Sequence, residues 1–390
     1  MRLPSGDITS FWQDSKNRSI FYQVMSLLMV GFIAWYLVSN TMANLEKQSI
    51  ASGYGFLSKE AGFEIGESSI SYSASDSYSR ALLVGALNTL KVSFIGIIFC
   101  LCIGLFVGIA RLSSNWLVQK IATLYIEIMQ NIPVLLQLFF WYALFYETLP
   151  SPRQALNPLY GVFLCNRGVA MATLAPHPAH GYMGGAFILG ILASIYLSIW
   201  VKKRRDETGK NFPFIRSTLG LCMGLPILVW VGFSCPLEWE APALKGFNFQ
   251  GGLMLSPEFI ALLLGLVVYT SAFVAEAVRA GIQSVGRGQI EAALAIGLKE
   301  NQIIRMITLP QALRVIIPPL TSQMLNLTKN SSLAIAIGFP DFVSVTNTTI
   351  NQTGQSVEGI ALIMGCYLFF SLSTSIFMNW YNKKSKLVER

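Results

Sequence analysis

"EAALAIGLKENQIIRMITLP", residues 291–310, is too mixed in polarity to cross a membrane, yet apolar segments crowd it on both sides. Ala292, Ala293, Ala295 and Ile296 fall on one side of a short helix, and alanines let another backbone approach closely. Glu291 stands near the start of that turn, where a carboxylate favours the positive end of the helix dipole. Gly297 permits a bend without the steric cost of a side chain. A second apolar set, Ile303, Ile304 and Ile307, leads to Leu309 and Pro310, and the proline is expected to break the helix that arrives there. The pattern predicts a helix, a bend and a helix: a compact knob in water. On physical grounds it could dock a partner or lie as an amphipathic helix on the lipid surface.

The surroundings of the knob set the fold class. Of 390 residues, 53% are hydrophobic and only 12% are charged, and the mean hydropathy is +0.53. Soluble globular chains carry about twice that share of charge. The sequence therefore predicts an all-α polytopic membrane protein with about eight transmembrane helices, each needing roughly 20 apolar residues to cross the hydrocarbon core. The candidate spans lie near 20–39, 83–109, 121–146, 183–201, 217–235, 259–279, 314–338 and 359–381. The first is too long for the h-region of a signal peptide and lacks a small-x-small cleavage site after it, so it is expected to stay in the mature chain. With the N-terminus in the cytosol, only Lys47, Lys59, Arg80, Arg153, Arg167 and Lys245 fall outside, and Lys91 and Lys329 fall within spans. All other lysines and arginines fall inside, which places both termini in the cytosol. The formal charge of +8 is then a topology signal and needs no nucleic acid; the cluster "KKRRDETGK" at 202–210 reads as an anchor beside a span.

The stretch 291–310 resembles the EAA loop of bacterial ABC importer permeases. It follows "YTSAFVAEAVRAGIQSVGRGQ" at 269–289 and precedes "KNSSLAIAIGFPDFVSVTNTTINQTGQ" at 329–355. Upstream stand "GALNTLKVSFIGIIFCLCIGLFVGIARLS" at 85–113 and "YIEIMQNIPVLLQLFFWYALF" at 125–145. The succession resembles the polar amino-acid family of permeases, and most closely the general L-amino-acid permease subunits, which carry extra helices. The resemblance implies a type I ABC importer permease core in the bacterial inner membrane, with Glu291, Ala292, Ala293, Gly297, Leu309 and Pro310 docking a cytosolic ATPase. It further implies a homologous permease partner in a heterodimer, two ATPase copies and an extracytoplasmic amino-acid-binding protein. Residues 1–80 then form an N-terminal span and outer loop. The translocation core divides into 81–146 and 255–390 around an insertion, 147–254, with two extra spans.

The remaining motifs exclude more than they assign. The only Gly-Lys pair, Gly209-Lys210, is followed by Asn211 and cannot be a phosphate-cradling loop. No cofactor is expected in this chain, ATP and Mg²⁺ belonging to the partner ATPase. His177 and His180 lack metal-ligand spacing and read as solvated loop residues. Cys165 and Cys235 both map outside, where a disulfide is permitted; the other cysteines read as small apolar fillers. The Ser-rich stretch 68–79 is polar enough for a flexible cap, and the aromatic run 138–146 reads as an interfacial belt. Gly184, Gly185, Gly190 and Pro226 give the extra spans small faces for helix packing. Glu276 and Arg279 stand three apart and can neutralise each other. The family often has arginine where this chain has Gln130, which leaves Glu127 without that local partner.

One intramembrane charge points to a pathway. Lys329 lies roughly 22 Å along the helix from Arg314, and a charge there costs at least about 2.5 kcal/mol against lipid. Gln323, Asn326 and Asn330 recur at helical spacing beside it, and Ser331 and Ser332 follow. This face can line the route of an amino-acid substrate, with Lys329 attracting the α-carboxylate. Alternatively Lys329 ties helices together through backbone carbonyls or an acid such as Glu127. A secondary amino-acid transporter driven by an ion gradient is the competing functional class.

Overall fold

A computed structural model describes residues 15–47, 53–209, 212–234 and 237–385. In chain order the main elements are α1 (Ser15–Lys47), α2 (Tyr78–Ala110), α3 (Trp116–Asn131) and α4 (Val134–Ala143), then strands β1 (Leu156–Leu159), β2 (Val162–Cys165), β3 (Gly168–Met171) and β4 (Thr173–Leu174). The helices α5 (Pro178–Thr208) and α6 (Phe214–Gly232) precede β5 (Trp239–Glu240), β6 (Ala243–Lys245), β7 (Asn248–Gln250) and β8 (Leu253–Leu255). The chain ends with α7 (Pro257–Gln283), α8 (Arg287–Ala295), α9 (Leu309–Asn330), α10 (Phe342–Thr353) and α11 (Ser356–Ser385). Two units are distinguished, Met1–Ile97 with Ala277–Arg390, and Ile98–Glu276.

All eight apolar segments of the sequence fall on helices. Among the described residues six helices are long and apolar enough to span a membrane, and the α3–α4 pair makes seven if taken as one broken span. The segment near 217–235 gives an apolar helix, Arg216–Gly232, that is shorter than the rest. The segment near 121–146, read as one span, is bent by 102° between α3 and α4. Pro133 follows Ile132, whose backbone is extended, as the steric bulk of a proline ring demands of the preceding residue. Gln137 then donates to the carbonyls of Met129 at 3.0 Å and Ile132 at 3.1 Å, satisfying acceptors that the break leaves without helical partners.

Within the second unit, α5 and α6 pack as a hairpin. A Cβ on Gly190 would stand 2.7 Å from the Leu221 carbonyl oxygen, so glycine permits this approach as small-residue packing requires. Gly184 and Gly185 face open space. The flanking segments are not helical: β1, β2, β3 and β8 form an antiparallel sheet in that order. Phe163 stacks on Phe249 with ring centroids 4.8 Å apart, over the buried Cys165 and Ala170.

In the first unit the stretch 53–77 is an ordered cap. Phe56 and Ala61 pack with Tyr78, Ala81, Leu82, Phe342 and Val345. The Ser-rich part, expected to be flexible, is fixed by its own polar groups. Asp76 accepts from the Ser73 amide at 2.8 Å, Arg80 donates to the Ser71 carbonyl, and Tyr72 donates to the Phe63 carbonyl. The Glu67 carboxylate meets the Lys91 ammonium at 2.7 Å.

Candidate functional site

The knob has the shape its sequence predicts, with two differences, the first being that its helix begins at Arg287, so Glu291 lies in mid-helix and not at the positive end of the dipole. The helix α8 ends at Ala295, and Gly297 turns the chain at φ +81°. The Gly297 amide donates to Leu294 at 2.9 Å and the Leu298 amide to Ala293 at 3.1 Å, a left-handed helix end that glycine enters without strain. Ala293 and Ile303 are buried inside the knob. Glu291 and Ala292 are exposed, and so are Leu294, Ile296, Ile304, Met306 and Leu309, with Ile296 at 77% exposure. Pro310 does not break the chain there. A turn at Glu300–Ile303 passes through a wide π-turn, Ile304–Thr308, directly into α9. Pro310 sits in the first turn of α9, where its missing amide hydrogen costs nothing, and the wide turn takes up the mismatch.

At the other end of α9 lies a cleft of about 760 Å³ lined by Lys329, Ser332, Val343, Ile363, Met364, Gly365, Tyr367, Leu368 and Ser371. Of the residues singled out from sequence, Lys329 and Ser332 reach this cleft. Gln323, Asn326 and Asn330 are not on its lining, and Ser331 is fully buried, its hydroxyl donating to the Thr328 carbonyl at 2.7 Å. Lys329 is exposed and forms no salt bridge among the described residues.

Behind the cleft wall stands a buried polar joint. Asp341 is 0% exposed. Its carboxylate caps α10, accepting from the amides of Ser344 at 2.9 Å and Val343 at 3.2 Å, and it accepts from the Tyr367 hydroxyl at 3.2 Å. Burial pushes its pKa up to about 6, against the lowering effect of these hydrogen bonds. The Phe342 amide donates to Thr89 at 3.0 Å, and the Asn88 amide bridges the carbonyls of Pro340 at 3.0 Å and Glu67 at 2.8 Å. A Cβ on Gly85 would come within 3.1 Å of the Asp341 carbonyl oxygen. Thus α2, the cap and the turn before α10 meet through named polar groups. An aspartate directly after a proline is an N-cap candidate by residue type, although the β-branched run that follows it, "FVSVTNTT", is a weak helix signal.

The geometry gives other singled-out residues further partners. Glu276 pairs with Arg111, 165 residues away, and Arg279 donates to Gln283 one turn on. Gln130 donates to the Ala272 carbonyl at 3.3 Å, so it binds the neighbouring helix where an arginine would have served Glu127. His177 is a cap, its Nδ1 accepting from the Ala179 amide at 3.1 Å, and the Nε2 atom of His180 is buried. Both therefore belong to the start of α5 more than to a solvated loop. No metal-binding group of three or more His, Cys, Asp or Glu side chains occurs among the described residues. Cys165 is a buried free thiol in contact with the Gly168 carbonyl; Cys235 lies outside the described residues.

A family model described as "Binding-protein-dependent transport system inner membrane component" matches residues 100–387. The chain belongs to this family of permeases. The permease is 48% identical over 378 residues to the general L-amino acid transport system permease protein AapQ of Rhizobium johnstonii, a match covering 97% of this chain and 94% of that protein. It is 48% identical over 379 residues to the putative amino-acid ABC transporter permease protein YhdX of Escherichia coli, covering 96% and 95%. It is 39% identical over 415 residues to the glutamate/glutamine/aspartate/asparagine transport system permease protein BztB of Rhodobacter capsulatus, covering 97% and 96%. The permease is thus an inner-membrane, multi-pass component of a binding-protein-dependent ABC amino-acid importer, and ATP is hydrolysed by a partner ATPase. A transporter driven by an ion gradient alone does not fit this membership.

Proposed function

We propose that the permease carries the substrate pathway in the Lys329 cleft and receives the work of ATP hydrolysis through the knob at 291–310. The observation that carries this reading is the exposed apolar set Leu294, Ile296, Ile304 and Met306, held in place by the Gly297 turn. Apolar groups displayed together on a polar segment mark a docking surface. Glu291, Ala292, Leu309 and Pro310 flank it, and buried Ala293 supports it from within. The ATPase occupies this face in two copies per importer, one for each of two different but homologous permeases. Both chain termini lie in the cytosol with the knob, as the distribution of basic residues supports. Residues 147–254 are an insertion in the translocation core. ATP and Mg²⁺ stay on the ATPase, and a binding protein delivers the amino acid from the opposite side. The ATPase cycle drives transport only by favouring one orientation of the helices over another.

Gly297→Leu tests the coupling. Open space surrounds the site, so no clash follows, but a side chain at positive φ costs about 1 kcal/mol and places bulk on the docking face. The variant should reach the membrane, with ATP-driven uptake reduced and less ATPase co-purified. Full uptake with normal ATPase recovery would remove the knob from the coupling mechanism.

A further inference from the structure

The cleft carries one charge, the Lys329 ammonium, and no carboxylate on its lining. Opposite chemistry enters through Tyr367. Its hydroxyl donates to the fully buried Asp341 carboxylate. Ser331 and Thr89 are near neighbours of the phenol, and their own hydroxyl protons go to backbone carbonyls. Ser331 donates to the Thr328 carbonyl at 2.7 Å and Thr89 to the Gly85 carbonyl at 3.0 Å. The buried Asp341 carboxylate therefore commits the phenol proton inward. A hydroxyl oxygen holds two lone pairs, and no described group donates to this one. The electron-rich oxygen and ring of Tyr367 are left for the cleft, which Tyr367 and Lys329 both line.

We propose that the cleft reads the backbone of a free amino acid at both ends: Lys329 takes the α-carboxylate and Tyr367, oriented by Asp341, takes the α-ammonium. The proposal rests on the pathway reading of the cleft and adds to it the recognised group. Charge-assisted hydrogen bonds are the stronger kind, and an aromatic face attracts an ammonium as well. The volume of about 760 Å³ lies within the usual range for small-molecule sites. Beyond the two polar contacts, Val343, Ile363, Met364 and Leu368 offer apolar walls and Ser332 and Ser371 offer hydroxyls. Such a site discriminates between backbones and tolerates varied side chains. Asp341 does not touch the substrate; it is a positioning residue acting through Tyr367.

The test uses the whole permease–ATPase complex, purified without the binding protein so that its selectivity does not intervene. Binding of labelled L-glutamine is measured with N-acetyl-L-glutamine and L-glutamine α-amide as competitors. Both blocked compounds should compete at least about tenfold more weakly than L-glutamine, the loss expected for one charge-assisted contact. Lys329→Met should weaken L-glutamine binding about tenfold and erase the penalty for the α-amide. Tyr367→Phe should weaken it less and erase only the penalty for the N-acetyl compound. Asp341→Ser keeps a helix cap but does not reach Tyr367, and should behave as Tyr367→Phe does. Asp341→Asn keeps an acceptor for the phenol and should retain discrimination. If Lys329→Met binds and transports as the wild type does, the pathway reading itself fails. If Lys329→Met loses binding while Tyr367→Phe and Asp341→Ser still reject the N-acetyl compound, the pathway stands and the two-ended recognition is overturned. Absence of L-glutamine binding to the wild-type complex also overturns it.

Discussion

The knob at 287–310 and the joint around Asp341 sit on either side of α9 in sequence, and they use polarity in opposite ways. The knob is a polar segment that displays apolar side chains, Ile296 most of all, and hides little besides Ala293 and Ile303. The joint lies among apolar helices and hides polar side chains, with Asn88, Thr89, Ser331, Asp341 and Thr346 all at 0% exposure. An apolar group kept in water implies a surface waiting for a partner. A polar group kept out of water implies a satisfied internal network, because leaving it unpaired is expensive. The first arrangement suits a joint between chains and the second a joint within one.

The contrast can be broken most forcefully at Asp341. Asp341→Ala removes the cap of α10 and the acceptor for Tyr367 together, and should destabilise the purified permease by about 3 kcal/mol, the scale for breaking a buried polar network. Thermal unfolding in detergent measures it, and a loss below about 0.5 kcal/mol, typical of surface changes, would show that the network carries no load. The knob should respond in the reverse sense. Ile296→Asp should leave stability within about 0.5 kcal/mol but lower ATP-driven uptake about tenfold, as expected for the loss of an apolar anchor at an interface. Comparable damage to folding and to uptake would erase the distinction between the two regions.

The smallest effect near neutral pH is the titration of Asp341. Its pKa is raised from 3.8 to about 6 in the folded chain, chiefly by burial, so the folded state holds the proton more tightly than the unfolded one. The stability this gives is fully present below about pH 4 and is lost as pH rises through about 6. Above pH 7 little of the slope remains. Unfolding midpoints measured from pH 4 to 7 should fall with rising pH, and Asp341→Asn should flatten that part of the profile.

How far these features are legible in the sequence depends on their range. Apolar runs mark the helices because the bilayer imposes a length, and Gly297 marks the knob because only glycine enters its turn freely. Pro133 gives a local sign of the break between α3 and α4, but a glutamine four residues later does not by itself reveal that it bonds back across the bend to Met129 and Ile132. The small sheet is only faintly marked in the sequence, by short runs bounded by Gly161, Gly168, Gly246 and Gly251 that carry the turn signals of hairpins. In the cleft, Lys329 stood out as a charge within a span. Tyr367 and Asp341 did not, because one looks like belt and packing and the other like loop until the fold brings them within 3.2 Å. The pairing of Arg111 with Glu276 was hidden for the same reason: the nearer Arg279 was a sufficient local partner.

The central claim, that the knob is the contact with the ATPase and the cleft is not, is tested most directly by site-specific cross-linking in the assembled importer. A photo-activated side chain at position 296 should capture the ATPase, and the same group at position 343, on the cleft wall, should not. Capture of the ATPase from 343, or its absence from 296 in a complex that still transports, would contradict the account.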